Sequence, residues 1–231
     1  MRVIRLLALV SALGLLVATP GCAKQVTGVP QAASLTVPLA VSEDGFGIVA
    51  GFDEAPAKIE IYTEPQCTHC SDLQRDFGDQ LAYHLTVGAL QITYRPLTFL
   101  DEEYDGYSAT VANAMFLSTE AIDNSAATGS QFQRFVEQLW VNQDPGGPAF
   151  STEDLHELAV AAGMPGPVAD NIGSDSAAVD VPEMDESNFG LLIDIDSVET
   201  GTPTVYDLNA GEKVDVHDSE WLDNLIRGRV P

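Results

Sequence analysis

The 231-residue chain carries 35 Asp and Glu against 10 Lys and Arg, a formal charge of −25 at pH 7, and 45% of its residues are hydrophobic. So acidic a surface repels phosphate backbones and excludes nucleic acid as a partner, because binding there rests on neutralising phosphates with Lys and Arg. The hydrophobic content excludes wholesale disorder, and the charge favours solubility and neutral or basic partners.

At the N-terminus Arg2 and Arg5 precede an uncharged apolar run from Leu6 to Val17, and small residues lead up to Cys22. This is the pattern of a secretory signal peptide over residues 1–21. The run is too short for a membrane-spanning helix, which needs ~20 apolar residues. Gly21-Cys22 within Thr19-Pro20-Gly21-Cys22 resembles the bacterial lipoprotein signal, which implies that Cys22 becomes the lipid-bearing first residue. Thr19 and Pro20 depart from that signal, and ordinary cleavage nearby would leave Cys22 a free thiol. Lipidation is the favoured reading for two reasons. An unpaired exported cysteine is a liability, and residues 22–34 read as a tether, small, polar and Pro/Gly-containing, with no periodic apolar face. Removing residues 1–21 leaves 8 Lys and Arg against 35 Asp and Glu, a formal charge of −27. The remaining stretch, 35–231, suits one domain with a full core.

Short apolar stretches between Leu35 and Gly51, broken by Ser42-Glu43-Asp44-Gly45, predict a β-hairpin or two edge strands. Lys58 to Tyr62 alternates polar and apolar, a strand leading straight into the cysteines. From Cys67 the spacing turns helical, with Cys70, Leu73, Phe77, Leu81 and Leu85 recurring every three or four residues until Gly88. Leu90 to Leu97 returns to strand character, completing a βαβ unit. From about residue 104 to 173 no strand is evident. Helices are expected around Ala112 and Phe116, around Phe132 to Trp140, and from Ser151, whose capping signature includes Asp154, to Gly163. Their apolar stripes read as core packing rather than a cofactor box. The acidic run Asp180 to Glu199 reads as a solvated face. Asp194-Ile195-Asp196-Ser197 lacks the glycine and terminal glutamate of a calcium-binding EF-hand loop. A second hairpin spans Thr202 to Val216, turning at Asn209-Ala210-Gly211. A closing helix places Trp221, Leu222, Leu225 and Ile226 on its apolar face.

Cys67-Thr68-His69-Cys70 at a strand-to-helix junction carries the chemistry. This spacing brings two sulfurs within bridging reach. The helix N-terminus supplies unpaired N–H groups and partial positive charge, which favour thiolate at Cys67, the more N-terminal sulfur. His69 can add a donor or a positive charge to the same end. A depressed pKa stabilises the reduced form and makes the disulfide a better oxidant. A zinc half-site would need further ligands, and His84, His156 and His217 show no ligand spacing. Haem attachment would need histidine where Ser71 stands. A structural disulfide remains open, although so short a loop stabilises little through chain entropy.

With these cysteines, the strand Ile59-Glu60-Ile61-Tyr62 before them, Tyr94-Arg95-Pro96 on the next strand, the long helical stretch, and Gly201-Thr202-Pro203-Thr204-Val205 before the last hairpin, the chain resembles the DsbA-like branch of the thioredoxin superfamily. The resemblance spans 35–231. It implies an α/β thioredoxin fold with a helical domain inserted at about 104–173, and an extracytoplasmic thiol–disulfide oxidoreductase that needs no cofactor. It also implies a cis bond before Pro203, with Thr202 helping to hold substrate. Thr68 departs from the proline common after the first cysteine. Ile61 stands where related proteins often keep a buried acid. Glu60 alternates to the other face of its strand, and Glu64 reads as a solvated loop charge that would oppose the thiolate if close. The expected partners are exported proteins with free cysteines, an unidentified redox partner and, through the lipid, the membrane; the expected place is the outer face of the cytoplasmic membrane, or else the periplasm or cell envelope. A reductase or isomerase, a lipoprotein binding module braced by its cysteines, and a metallochaperone using Cys67, Cys70 and His69 are the rival readings.

Overall fold

A computed structural model of the chain describes residues 36–101 and 106–228. The proposed signal peptide, tether and Cys22 lie outside the described residues. Strands β1 (Leu39–Val41), β2 (Ile48–Ala50), β3 (Ala57–Thr63), β4 (Leu90–Pro96), β5 (Thr204–Asp207) and β6 (Glu212–Val214) form one sheet in the order β1-β2-β4-β3-β5-β6. The pair β3 and β4 is parallel, Ala57 opposite Leu90 and Thr63 opposite Pro96, and the remaining pairs are antiparallel. The β1–β2 hairpin therefore leaves β1 alone at the edge, because β2 pairs with β4 on its other side.

Helix α1 (Thr68–Thr86) makes the crossover between the parallel strands. Its buried residues Cys70, Leu73, Leu81 and Leu85 recur at helical spacing. It ends where Gly88 adopts φ +72°, with Ala89 N–H closing on the His84 carbonyl at 2.9 Å, a turn that a residue with a side chain adopts at a cost. Along β3, Ala57, Ile59 and Ile61 are fully buried in the main core, while Glu60 and Tyr62 face the other side, where the Tyr62 hydroxyl donates to Glu60 at 2.7 Å. The two-residue period of the strand produces this division.

Between β4 and β5 lie α2 (Tyr107–Leu117), α3 (Gly129–Val141), α4 (Thr152–Ala161), α5 (Gly166–Ile172) and α6 (Val181–Ile195). The expected start at Ser151 is a full capping box with Asp154, and α3 opens on another between Thr128 and Gln131. Phe132, Phe135, Val136, Leu139 and Trp140 are buried in the main core. The stretch expected as a solvated acidic face is mostly α6. Asp180 caps it, and Met184, Asn188 and Leu192 form its buried stripe. Leu192 joins Tyr62 and Leu97 in a second small core, so the helical segment extends to Ile195. Helix α7 (Trp221–Arg227) closes the fold with Trp221 edge-on to Phe77 of α1 at 5.3 Å. No described helix is long and apolar enough to cross a membrane.

Candidate active site

Strand β3 delivers the chain to a turn in which Cys67 N–H donates to the Glu64 carbonyl at 3.0 Å. Cys67 then occupies the N-cap position of α1, without a side-chain cap, and its carbonyl accepts from the N–H groups of Cys70 and Ser71. Cys67 is half-buried and Cys70 fully buried, both as free thiols. The N-terminal sulfur is thus reachable from outside. The second, one turn deeper, reaches only its neighbour.

Their environments push the two thiols apart. Cys67 is drawn down from the usual 9 to about 5. The largest cause is the hydrogen bond from Cys70, followed after the opposing effect of burial by bonds from Thr202 and from the backbone N–H groups of Cys70 and His69. Cys70 moves well up, because burial penalises its charge and the neighbouring Cys67 repels it. Such a pair holds one thiolate and one thiol, the reduced state in which an N-terminal nucleophile is ready and its partner keeps a proton.

The hydrogen bond that His69 gives Cys67 comes from its main chain. Its imidazole is exposed and lines a groove of about 640 Å³ beside Leu73, Phe77, Thr202, Pro203 and His217. The Thr202–Pro203 peptide bond is cis. The Cys67 sulfur lies 3.2 Å from the Thr202 carbonyl, which accepts from it only while Cys67 is protonated. The spacing of 135 residues between these two gave no hint of contact; only the resemblance brought Thr202 and Pro203 to the cysteines. A second depression of about 430 Å³ shares Thr202, Pro203, Val216 and His217 with that groove and extends to Gly201 and Lys213.

Glu64 overturns its expected place. It is fully buried rather than a solvated loop charge. Its carboxylate accepts from the Ser108 hydroxyl of α2 and, at 2.6 Å, from the Gln66 N–H. Its carboxyl is raised to about 7, first by burial, then, against those two hydrogen bonds, by the charges of Cys67 and Asp101. Helix α3 clamps the same turn. Trp140 Nε1 donates to the Glu64 carbonyl at 3.3 Å, Ser71 Oγ donates to the Trp140 carbonyl at 2.9 Å, and Gln143 Nε2 reaches the Pro65 carbonyl at 2.7 Å. Sequence spacing could not reveal these partners, which stand 44 to 78 positions away.

Glu60, set aside as a catalytic group, pairs with Arg95 at 3.0 Å. His156 meets Asp170 at 3.1 Å, away from the cysteines. Among the described residues no group of three or more His, Cys, Asp or Glu side chains is placed to hold a metal ion.

A search of curated proteins by sequence finds no match. Among solved structures, a thiol–disulfide oxidoreductase MdbA from Corynebacterium matruchotii superposes with a TM-score of 0.65 at 18% identity, over 82% of this chain and 91% of that one. MdbA from Corynebacterium diphtheriae gives 0.64 at 21%, over 83% and 94%. The reduced disulfide-bond oxidoreductase DsbG from Mycobacterium tuberculosis gives 0.56 at 25%, over 78% and 80%. These likenesses establish a DsbA-like fold. The family model described as Thioredoxin matches residues 43–161, more than half of the chain, and with Cys67 and Cys70 at the start of the crossover helix the chain belongs to the thioredoxin family.

Proposed function

We propose that the chain is an exported thiol–disulfide oxidoreductase that oxidises cysteines of exported proteins through a Cys67–Cys70 disulfide. The asymmetry of the pair carries this reading: a half-buried sulfur of depressed pKa sits before a fully buried one at a helix N-terminus. A substrate thiolate attacks Cys67 of the disulfide, expelling Cys70 and forming a mixed disulfide. A second substrate thiolate then attacks the substrate sulfur of that bond, and Cys67 leaves as thiolate, a good leaving group because its pKa is low. Both enzyme cysteines end reduced, and a separate redox partner reoxidises them. Thr202 and Pro203 line the place where the substrate chain lies, with the His69 imidazole on the groove side. The solved structures of similar fold are named as thiol–disulfide oxidoreductases, which supports the same chemistry here. Attachment through a lipid on Cys22 would hold the enzyme at the outer face of the cytoplasmic membrane.

Replacing Cys70 by Ser removes the intramolecular escape from the mixed disulfide. In cells expressing Cys70→Ser, quenched with acid and an alkylating agent, exported proteins should appear as adducts that vanish on reduction and are absent in a Cys67/Cys70 double variant. No adducts, with Cys67 shown accessible to alkylation, would leave the pair as a brace in a binding module.

A further inference from the structure

Glu64 is a buried acid beside the redox pair that the thiol exchange itself does not employ. Its carboxylate folds back over the turn that ends in Cys67, held by Ser108 from the helical segment and by Gln66 N–H. No salt bridge among the described residues includes it. The charged or ionisable groups acting on it are acids or weak acids: Cys67 at the N-cap of α1, Asp101 after β4, and Tyr107 from α2, whose hydroxyl is itself pushed up in part by Glu64. A fully buried carboxylate and a half-buried thiolate thus act on each other, and no ion pair among the described residues offsets the carboxylate. Two like charges so placed disfavour each other, and the less costly arrangement has one of them protonated.

We propose that Glu64 is the proton-holding residue of the redox centre, taking up a proton when the Cys67–Cys70 disulfide is reduced and giving it back when the disulfide re-forms. This rests on the reading of the two cysteines as a redox pair. In the oxidised protein no thiolate stands beside Glu64, and the carboxylate is tolerated on its two hydrogen bonds. When a substrate dithiol reduces the bridge, the enzyme S–S bond breaks, a substrate S–S bond forms, and two electrons pass to the enzyme. Of the two protons the dithiol gives up, one ends on Cys70. The other is bound by Glu64 instead of being released, while Cys67 remains thiolate. The net charge of the buried centre is then the same in both redox states, one negative charge that moves from Glu64 to Cys67. Through Ser108 the helical segment holds the carboxyl where it senses the sulfur, so the segment contributes to the proton balance of the reaction.

The test is the number of protons bound per two electrons, read from the pH dependence of the Cys67–Cys70 equilibrium in buffers of small thiols and disulfides. In the protein with Glu64 this number should rise toward two just below pH 7 and return to one above it. Glu64→Gln should bind one proton through that range, reaching two only as pH falls through about 5, where Cys67 itself is protonated, and Ser108→Ala should move the rise near pH 7 to another pH. The infrared difference between reduced and oxidised protein should show a protonated carboxyl band on reduction that Glu64→Gln lacks, a signature that a purely structural role would not produce. Equal proton numbers with and without Glu64, or no carboxyl band in the unmodified protein, would overturn the proposal and leave the redox reading intact. A pair with no reversible equilibrium in these buffers would overturn both.

Discussion

Cys67 and Glu64 are displaced in opposite senses, and each displacement is also a statement about stability. Cys67 falls from 9 to about 5 in the folded reduced protein. Between those values the unfolded chain binds the proton and the fold does not. Its contribution to stability therefore grows with pH, is complete above 9 and is lost as pH falls through 5. Glu64 rises from 4.5 to about 7. There the fold binds the proton and the unfolded chain does not, so this contribution declines as pH climbs from 4.5 to 7 and stays low above. The two nearly cancel between pH 5 and 7, and only Cys67 acts between 7 and 9. Urea denaturation of the reduced protein at a series of pH values should therefore show Glu64→Gln gaining stability over the parent steadily from about pH 4.5 to 7, then holding a constant advantage. Parallel pH profiles for the two proteins would mean that Glu64 is ionised like an ordinary surface acid. The direction of the Cys67 shift was legible, since a cysteine at the start of a helix announces it. The burial of Glu64 was not, because it depends on Ser108, 44 positions away, and on the Trp140 side of α3.

Elements reached through a regular period were readable, and those reached through a buried polar residue were not. Strand β3 alternates and α1 repeats every three to four residues, so both stood out with the cysteines between them. Helix α6 hid because the middle of its buried stripe is Asn188, which donates to the Phe46 carbonyl at 2.9 Å and the Pro96 carbonyl at 2.8 Å, while acids crowd the remaining faces. Its start was present as a signal, with Asp180 at the cap and Pro182 in the first turn. The same face of the sheet carries Arg95 of β4, 7% exposed, which binds Glu60 at 3.0 Å, Asp44 at 2.6 Å and Asn188 at 3.4 Å. One guanidinium thus ties β3, β4, the β1–β2 turn and α6 together. Arg95→Met would fill much of the volume and leave Glu60 without its cation. Removing one partner of a buried pair costs about 3–5 kcal/mol, and Asp44, the more exposed acid, adds little. Arg95→Met should lower unfolding free energy by about 3 kcal/mol, measured by urea denaturation, while the thiolate absorbance titration of Cys67 stays in place. A loss below about 1 kcal/mol, the level of an exposed pair, would show that these charges find water instead.

At the scale of the whole molecule, charge and attachment are one question. The chain without residues 1–21 carries 8 Lys and Arg against 35 Asp and Glu. An anionic lipid surface draws proteins in through basic segments, each Lys or Arg adding about 1 kcal/mol. This chain offers the opposite sign and is repelled within about a Debye length of such a surface, about 8 Å at physiological salt. No described helix can span a bilayer. On the proposed reading, residence at the membrane rests on the covalent lipid, where burial contributes ~0.8 kcal/mol per CH₂. Cys22→Ser removes the acceptor for that lipid. Fractionation of cells expressing Cys22→Ser should therefore move the protein from the membrane pellet to the soluble exported fraction, or leave it as the unprocessed precursor, with no intermediate binding that salt can titrate. The purified domain 35–231 should fail to sediment with anionic vesicles at any ionic strength. A Cys22→Ser protein that stays in the pellet at its processed mass would show that something other than a lipid on Cys22 holds this acidic chain against its own repulsion.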